Sequence, residues 1–432
     1  MREEIFMTTQ KKPASSRNRR SQSYNRPTSK RPAGARPGQR PSGARRRSIQ
    51  RKSRYYRRRR QKILLLAGIS AVILLLLSTV FLVRSCKSKQ KEVKDVNSDK
   101  NVSMVISDEN TIAGKAASPT AAPPSPVSLT VSVVGDCTLG TDENFDYSTS
   151  LNAYFENNGP EYFFRNVKSI FESDDLTIAN NEGTFTTSTQ REDKQFAFKA
   201  DPAFAKIYSS SSVEAVNTAN NHSSDYGEQS FTDTMNALDQ EGVVHFGYDE
   251  TQVMEIKGVK VGLVGIYELR DHLERTQQLK DNIAKVKKEG AQLVIVIFHW
   301  GNEKETVPDS NQMTLGRLAI DEGADLVCGH HPHVLQGIET YKGKNIVYSL
   351  GNFCFGGNSY PSDMDSMIFQ QTFTIDENGV KADNVTNVIP CSISSDYGYN
   401  NYQPTPATGD EKTRIQNKID ERSSWIPAPG QN

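Results

Sequence analysis

Three of the chain's seven histidines fall in four consecutive positions, in the run Cys328-Gly329-His330-His331-Pro332-His333-Val334. Imidazole is the side chain that changes charge near neutral pH, and it is the commonest nitrogen ligand of protein-bound metals. A His-x-His pair in one turn can offer two rings to one ion. Pro332 stiffens the turn and biases His331 toward extended backbone. The plainer reading is a cluster that caps and hydrogen-bonds its own loop. The neighbours of other apolar runs bear on the choice. Asp136 follows LTVSVVG, Glu182 follows DLTIAN, Asn220-Asn221-His222 follow VEAVNT, and His299 follows LVIVIF. Open α/β sheets bind ligands beyond the carboxyl ends of their strands. Five predicted strands ending in carboxylate, amide or imidazole therefore predict convergence on one site. Oxygen and nitrogen donors without thiolate suit a divalent metal such as Mn, Fe or Zn.

Those strands alternate with helical patterns. Amphipathic spacing predicts helices over Asp225–Gln240, over Thr276–Glu289 closed by Gly290, and over Asn311–Glu322 ended by Gly323. Strand signals lie at 129–135, 175–180, 213–220, 293–298 and 325–329, then in VLQGIETY, NIVYSLGN and SMIFQQTFTID. A hairpin pattern flanks Gly258. The result is an α/β domain over 128–392, long enough for a full core. Beyond it, 393–432 reads as an extension with one charged helix around Asp410–Ser423. The five cysteines are too few and too scattered for a disulfide scaffold, so buried thiols are expected.

The N-terminal third differs in kind. Residues 1–62 carry 22 Lys and Arg against two acids, leaving 30 bases and 49 acids in the rest of the chain. This tail is Arg-, Ser-, Pro- and Gly-rich and cannot bury a core, so disorder is expected. Next comes Ile63–Val83, uncharged throughout and long enough as a helix to cross a bilayer core of about 30 Å. Arg57–Arg60 and Lys62 abut its N-terminal end. The positive-inside rule then puts the tail in the cytoplasm and the rest outside the membrane, as a single-pass anchor. Beside such a span, the basic tail suits anionic lipid head groups rather than nucleic acid. Residues 84–127, polar and then Ala/Pro/Ser-rich, read as a linker.

Taken together the motifs carry a resemblance. Gly135-Asp136 with Leu139-Gly140, Asn180-Asn181-Glu182, Ala219-Asn220-Asn221-His222 with Asp225-Tyr226-Gly227, His299-Trp300-Gly301 with Glu303, Gly329-His330-His331-Pro332-His333 and Tyr348-Ser349-Leu350-Gly351-Asn352-Phe353 resemble the motif series of CapA-type poly-γ-glutamate capsule biosynthesis proteins. That family is similar in turn to calcineurin-like metallophosphoesterases. The resemblance implies a four-layer α-β-β-α sandwich with one or two divalent ions at the strand ends. It implies metal ligands at Asp136, Glu182, Asn221, His299, His331 and His333. His222 would be the proton donor or oxyanion stabiliser, with Asp225 or Glu303 orienting an imidazole. Two departures stand out: Thr138 replaces a histidine ligand, and Ser223 replaces an acid after the Asn-His pair.

Three functional readings follow. The first is a membrane-anchored exterior protein of capsule assembly that handles, transfers or hydrolyses an anionic polymer such as poly-γ-glutamate, alongside other capsule-synthesis membrane proteins. The second is an extracellular metallophosphoesterase acting on another phosphoester. The third is a non-catalytic polymer-binding partner of a membrane synthase or exporter. The type of Trp300 and the run Tyr348–Phe353 do not choose among stacking surface, pocket wall and packing, although Gly351 and Asn352 suit a turn with positive φ and Asn352 could contact substrate.

Overall fold

The computed structural model describes residues 125–430. The expected tail 1–62, the apolar run 63–83 and all but the end of the linker 84–127 lie outside the described residues. Among the described residues no helix is long and apolar enough to cross a membrane.

Two mixed sheets form the frame. The larger runs in the order Thr405–Pro406, Val385–Ser392, Asp365–Asp376, Val127–Thr138, Leu176–Asn181, Ala215–Asn217, Val244–Phe246. Asn352–Phe355 adds in parallel beside the end of Val127–Thr138. The smaller runs Ile338–Tyr341, Lys344–Val347, Leu326–His330, Leu293–His299, Val259–Tyr267, Gln252–Ile256. Strands at the centre of the smaller sheet are parallel and largely apolar, as strands covered on both faces must be. The expected hairpin at Gly258 joins Gln252–Ile256 to Val259–Tyr267, with Lys257 and Gly258 both at positive φ, as a two-residue turn of that hand needs.

Period-two alternation sorts the core into layers. Leu129, Val131 and Val133 meet Leu293, Ile295 and Ile297 between the sheets. The opposite face of the larger sheet, with Ala179 and Val216, packs on Phe163, Phe204 and Leu238. The opposite face of the smaller, with Val294, Val296 and Phe298, packs on Leu279, Ile283 and Val286 of the Thr276–Lys288 helix and on Leu315 and Ala319 of Ser310–Glu322. Helices therefore flank a pair of stacked sheets. Each fully buried Leu, Ile or Val contributes about 1.5–3 kcal/mol. The Gly409–Ser424 helix sends Ile415 and Ile419 into the seam between the sheets. It is latched by Arg414 and Lys418 to Asp365.

Several elements differ from the sequence reading. The strand expected over 213–220 ends at Asn217, whose Oδ1 accepts from Ala219 N at 3.2 Å and turns the chain. VLQGIETY is a strand only from Ile338. The helix at Leu151–Asn158 has no clear apolar spacing in sequence and is fixed by its Ser150 cap.

Candidate metal centre

The parallel strands of both sheets end on the same side, and their termini touch. His299 and His330 are paired neighbours at the ends of Leu293–His299 and Leu326–His330. Asp136 N donates to Gly351 O at 2.9 Å, and Leu350 N to Gly329 O at 3.3 Å, tying the larger sheet to the smaller. Asp136 owes its direction to a bulge. Val134 and Cys137 both face the outer core, and the pairing slips between Val133 and Asp136. The extra residue shifts the side-chain parity, so Asp136 turns toward the histidine turn of the other sheet.

The contacts then run from group to group. Asp136 Oδ1 accepts from Asn180 Nδ2 at 2.8 Å, and Oδ2 from the His331 backbone N–H at 3.1 Å. His333 Nδ1 lies 3.3 Å from Asp136 Oδ2, and its Nε2 lies 3.7 Å from Glu182 Oε1. His299 Nε2 is 3.6 Å from the same Glu182 oxygen and 2.7 Å from Asn221 Oδ1. The His299 and His331 ring centres are 4.9 Å apart. Asp136, Glu182, Asn221, His299, His331 and His333 thus all meet in one place. Their ligand atoms fall into overlapping sets in which all atoms lie within 4.8 Å: Glu182, His299 and His331 in one, Asp136, Glu182 and His333 in another, Glu303, His331 and His333 in a third.

The histidine turn holds backbone strain. His331 has φ +94° and His333 φ +56°, where residues with a β-carbon are uncommon. The extended conformation expected of His331 before Pro332 is corrected by this. The bond from His331 N to Asp136 Oδ2 pins the chain in the turned form and offsets the strain. Asn352 fixes His333 from behind, Oδ1 to Nδ1 at 2.9 Å. Of the run Tyr348–Phe353, only Gly351 has the expected positive φ, +70°; Asn352 begins a strand instead.

Charge in the cluster is unbalanced in a way that fits a divalent cation. Glu182 is fully buried, and its Oε1 has no hydrogen-bond partner; Oε2 accepts only from Thr138 Oγ1 at 3.3 Å. Burial, with Asp136 nearby, pushes the Glu182 carboxyl above the usual range. Burial lowers His299 well below the ordinary imidazole value. Burial and the neighbouring His333 lower His331 to about 3. Neutral rings are what metal coordination requires; His331 Nδ1 has no partner, whereas His299 accepts from Asn180 at Nδ1 and faces Asn221 Oδ1 with Nε2, the nitrogen an ion would take. His333 goes the other way: burial disfavours its cation, but Glu182 and Asp136 push it up to about 10. Asp136 ionises readily despite burial, held well below the usual carboxylate range by His330 and His333. His333 lies between the buried carboxyls of Asp136 and Glu182, a place a divalent ion would fill. The donor set of carboxylate and imidazole, with Glu182 shared by two sets, fits one or two such ions.

His222 stands just outside. Its Nδ1 lies 2.8 Å from Asp225 Oδ2, and Asp225 also accepts from Lys194 Nζ and from Phe198 N, each at 2.5 Å. The carboxylate is an acceptor, so His222 donates from Nδ1 and keeps Nε2 for the cavity it lines. Burial lowers the His222 pKa against the pull of Asp225. Lys194 is invisible in the sequence, where a lysine in a charged loop carries no signal. His330 has no role in the sequence reading either. It is fully buried 3.2 Å from Asp136, and neither ring nitrogen finds a hydrogen bond. Asn180, bridging Asp136 and the His299 ring, is a third omission. Trp300, by contrast, is structural: it stacks on Phe298 at 4.2 Å and donates to Tyr348 O at 2.8 Å. Gly329 is required by it, since an added Cβ would lie 2.2 Å from Trp300 Nε1. Four cysteines among the described residues are buried and free.

The match to known proteins falls on this part of the chain. The family model "Bacterial capsule synthesis protein PGA_cap" matches residues 130–357. "PGA biosynthesis protein CapA" of Bacillus subtilis (strain 168) is 29% identical over 297 residues, covering 64% of this chain and 75% of that protein. "Capsule biosynthesis protein CapA" of Bacillus anthracis is 28% identical over 323 residues, covering 68% and 74%. Among solved structures, a hypothetical protein from Thermus thermophilus aligns with a TM-score of 0.38 at 14% identity, covering 61% of this chain and 98% of that one.

Proposed function

For a chain that belongs to the bacterial capsule synthesis family PGA_cap, we propose a role in making a capsule polymer such as poly-γ-glutamate, exerted through a divalent-metal centre of metallophosphoesterase type. The observation that carries the reading is Glu182: a fully buried carboxylate shared by two ligand sets, with one oxygen that has no partner. Asp136, Glu182, Asn221, His299, His331 and His333 are the proposed ligands. The layered arrangement of two stacked sheets between helices supports the comparison with calcineurin-like metallophosphoesterases. When bound, the ion supplies Lewis-acid polarisation of the substrate and activation of water near neutral pH. His222 moves the proton. In its neutral form it presents a bare Nε2 to the cavity and takes up a proton; once charged, it donates to the leaving group. Asp225 keeps the ring oriented, and Lys194 Nζ holds Asp225 by its other oxygen.

The test is metal analysis of the purified full-length chain beside His331→Ala and His222→Asn. The expected result is bound Mn, Fe or Zn in the first and third and loss in the second. Full metal content in His331→Ala would overturn the proposed centre.

Thr138 favours a second reading. It occupies the position of an expected imidazole ligand and bonds to Glu182, so the site has fewer ligands than the full two-ion pattern. A polymer-binding partner of a membrane synthase needs no turnover from it. Hydrolysis of model phosphodiesters with added Mn²⁺ separates the two.

We also propose that residues 63–83 anchor the protein in the bacterial plasma membrane with the basic tail inside. The basis is the uncharged run itself and the arginines before it.

A further inference from the structure

The metal centre opens into a cleft of two connected parts. The inner part, about 210 Å³, is bounded by His222, His333, Asn352, Phe198 and Phe355, with Glu303 and Lys304 at its rim. The outer part, about 580 Å³, shares Phe196, Gly357 and Asn358 with the inner one and continues past Phe145, Tyr360 and Asp146. Together they reach the size of small-molecule sites.

Rings line the path. Phe145 lies 6.0 Å from Phe196, Phe196 stacks 6.4 Å from Phe198, and Phe198 is 4.7 Å from His222. Phe355 stands 5.7 Å from His333 on the other wall. Phe196 is 42% exposed and Tyr360 70%, so both offer a bare face to the cleft. Between the rings are amides and hydroxyls: Asn144, Asn358 and Ser359 in the outer part, Ser362 in the inner.

Charge along the cleft lining does not match a simple polyanion. Lys304 is the one Lys or Arg among the described residues lining either part, and it sits at the metal end. The outer part has no basic residue in that lining and one acid, Asp146. A chain with a carboxylate on every unit would bring several negative charges there with no counter-charge, against Asp146 and, further in, Glu303 and Asp363. A ligand with one anionic group at the metal end and an uncharged, hydroxyl-rich body beyond is complementary throughout. Sugar rings have such bodies: their C–H faces pack on aromatic rings, and their hydroxyls bond to amides and hydroxyls.

We propose that this cleft is a saccharide subsite, and that the substrate class is a sugar phosphoester whose phosphate faces the metal centre. The proposal rests on the metal reading above and adds the substrate's body to it. Phe196 and Tyr360 carry the ring. Lys304 meets the anionic group.

The experiment is calorimetric titration of the purified full-length chain with Mn²⁺ present. The probes are inorganic phosphate, a hexosamine 1-phosphate, a γ-linked glutamate oligomer and a nucleoside monophosphate. The sugar phosphate should bind at least ten-fold more tightly than phosphate. Phe196→Ala and Tyr360→Ala should each remove most of that gain while metal content stays. An equal or larger gain from the nucleoside, or tighter binding of the glutamate oligomer that ignores Phe196→Ala, would overturn the proposal. If no metal and no phosphate bind, the metal reading has failed on its own. A neutral hexosamine oligomer then decides the subsite: binding lost in Phe196→Ala upholds it, and no binding overturns it.

Discussion

Replacing Glu182 by Gln tests the metal centre without any assay of activity. The amide keeps the volume and can still accept from Thr138, whose hydroxyl reaches Oε2 at 3.3 Å. It removes a buried carboxyl whose ionisation burial already opposes and which the metal-free protein leaves half-partnered. The metal-free variant should therefore be as stable as the parent or more so, because an incompletely paired buried carboxyl is costly. The metal-loaded forms should diverge. An ion that binds only the folded state stabilises it by RT ln(1 + [L]/Kd), about 2.7 kcal/mol at a hundred times Kd. If loss of the shared carboxylate weakens binding about a hundred-fold, the same ion concentration gives about 0.4 kcal/mol. For a body this size about 2 °C accompanies each kcal/mol, so the metal-induced rise in Tm should fall from about 5 °C to about 1 °C. Thermal melts in chelator and in excess Mn²⁺ or Zn²⁺ measure both numbers. A variant that melts far lower in chelator, yet keeps the full metal-induced rise, would mean that Glu182 is a structural carboxylate and holds no ion.

His222→Asn should leave metal content near that of the parent and lower turnover of any substrate by about 10²-fold, since general acid–base catalysis is worth about 10²–10⁴-fold; single-turnover rates beside metal analysis check it. Asp365→Asn should destabilise by about 1–3 kcal/mol at pH 7 through loss of charged hydrogen bonds to Arg414 and Lys418. Burial opposes ionisation of Asp365, but those two cations hold its pKa below the ordinary value. A depressed carboxyl stabilises the fold above its unfolded pKa and loses that effect as pH falls through the folded one. The gap between parent and Asp365→Asn should therefore close below about pH 4, as denaturant melts across pH would read. Ile419→Ala, fully buried in the seam between the sheets, should cost about 2–5 kcal/mol, seen as a lower denaturant midpoint. Protease added to intact cells should digest the 128–432 portion and spare an epitope in the N-terminal tail; an N-terminus mapped near Cys86 would refute the anchor.

Most of the frame could be read from the order of residues because it rests on local pattern. The apolar run Leu293–Phe298 could only be a strand covered on both faces, and Gly290 and Gly323 ended their helices where left-handed backbone was needed. The candidate site was legible for a related reason: a polar group directly after an apolar strand has nowhere to lie but at the sheet's edge. What was not legible depends on contacts between distant segments. Asn180 reads as one more strand residue until Asp136, 44 residues earlier, is placed against it. Lys194 needs Asp225, and the Leu151–Asn158 helix is held by its cap and by packing rather than by apolar period.

The histidine turn shows where pattern fails and why. Proline at 332 argues for extended backbone at His331, and the local preference is real. It is overridden because the turn must satisfy three demands at once: the His331 N–H on Asp136, the His331 ring toward His299, and the His333 ring between Asp136 and Glu182. Two non-glycine residues at positive φ in three positions are tolerated only where surrounding contacts over-determine them, and such strain gathers at sites of function. Here the contacts that hold the strain are the same carboxylates proposed to hold the ion. Converting His331 to Gly would relieve the backbone and remove a ring together, so strain and ligation must be separated elsewhere, at Asn352. Asn352→Ala keeps every proposed ligand and removes the two bonds behind His333, Oδ1 to the ring Nδ1 and Nδ2 to the backbone carbonyl. If the ring needs that support, metal affinity should fall by about 10–100-fold while the fold stays intact. Unchanged affinity would mean that the turn alone positions His333.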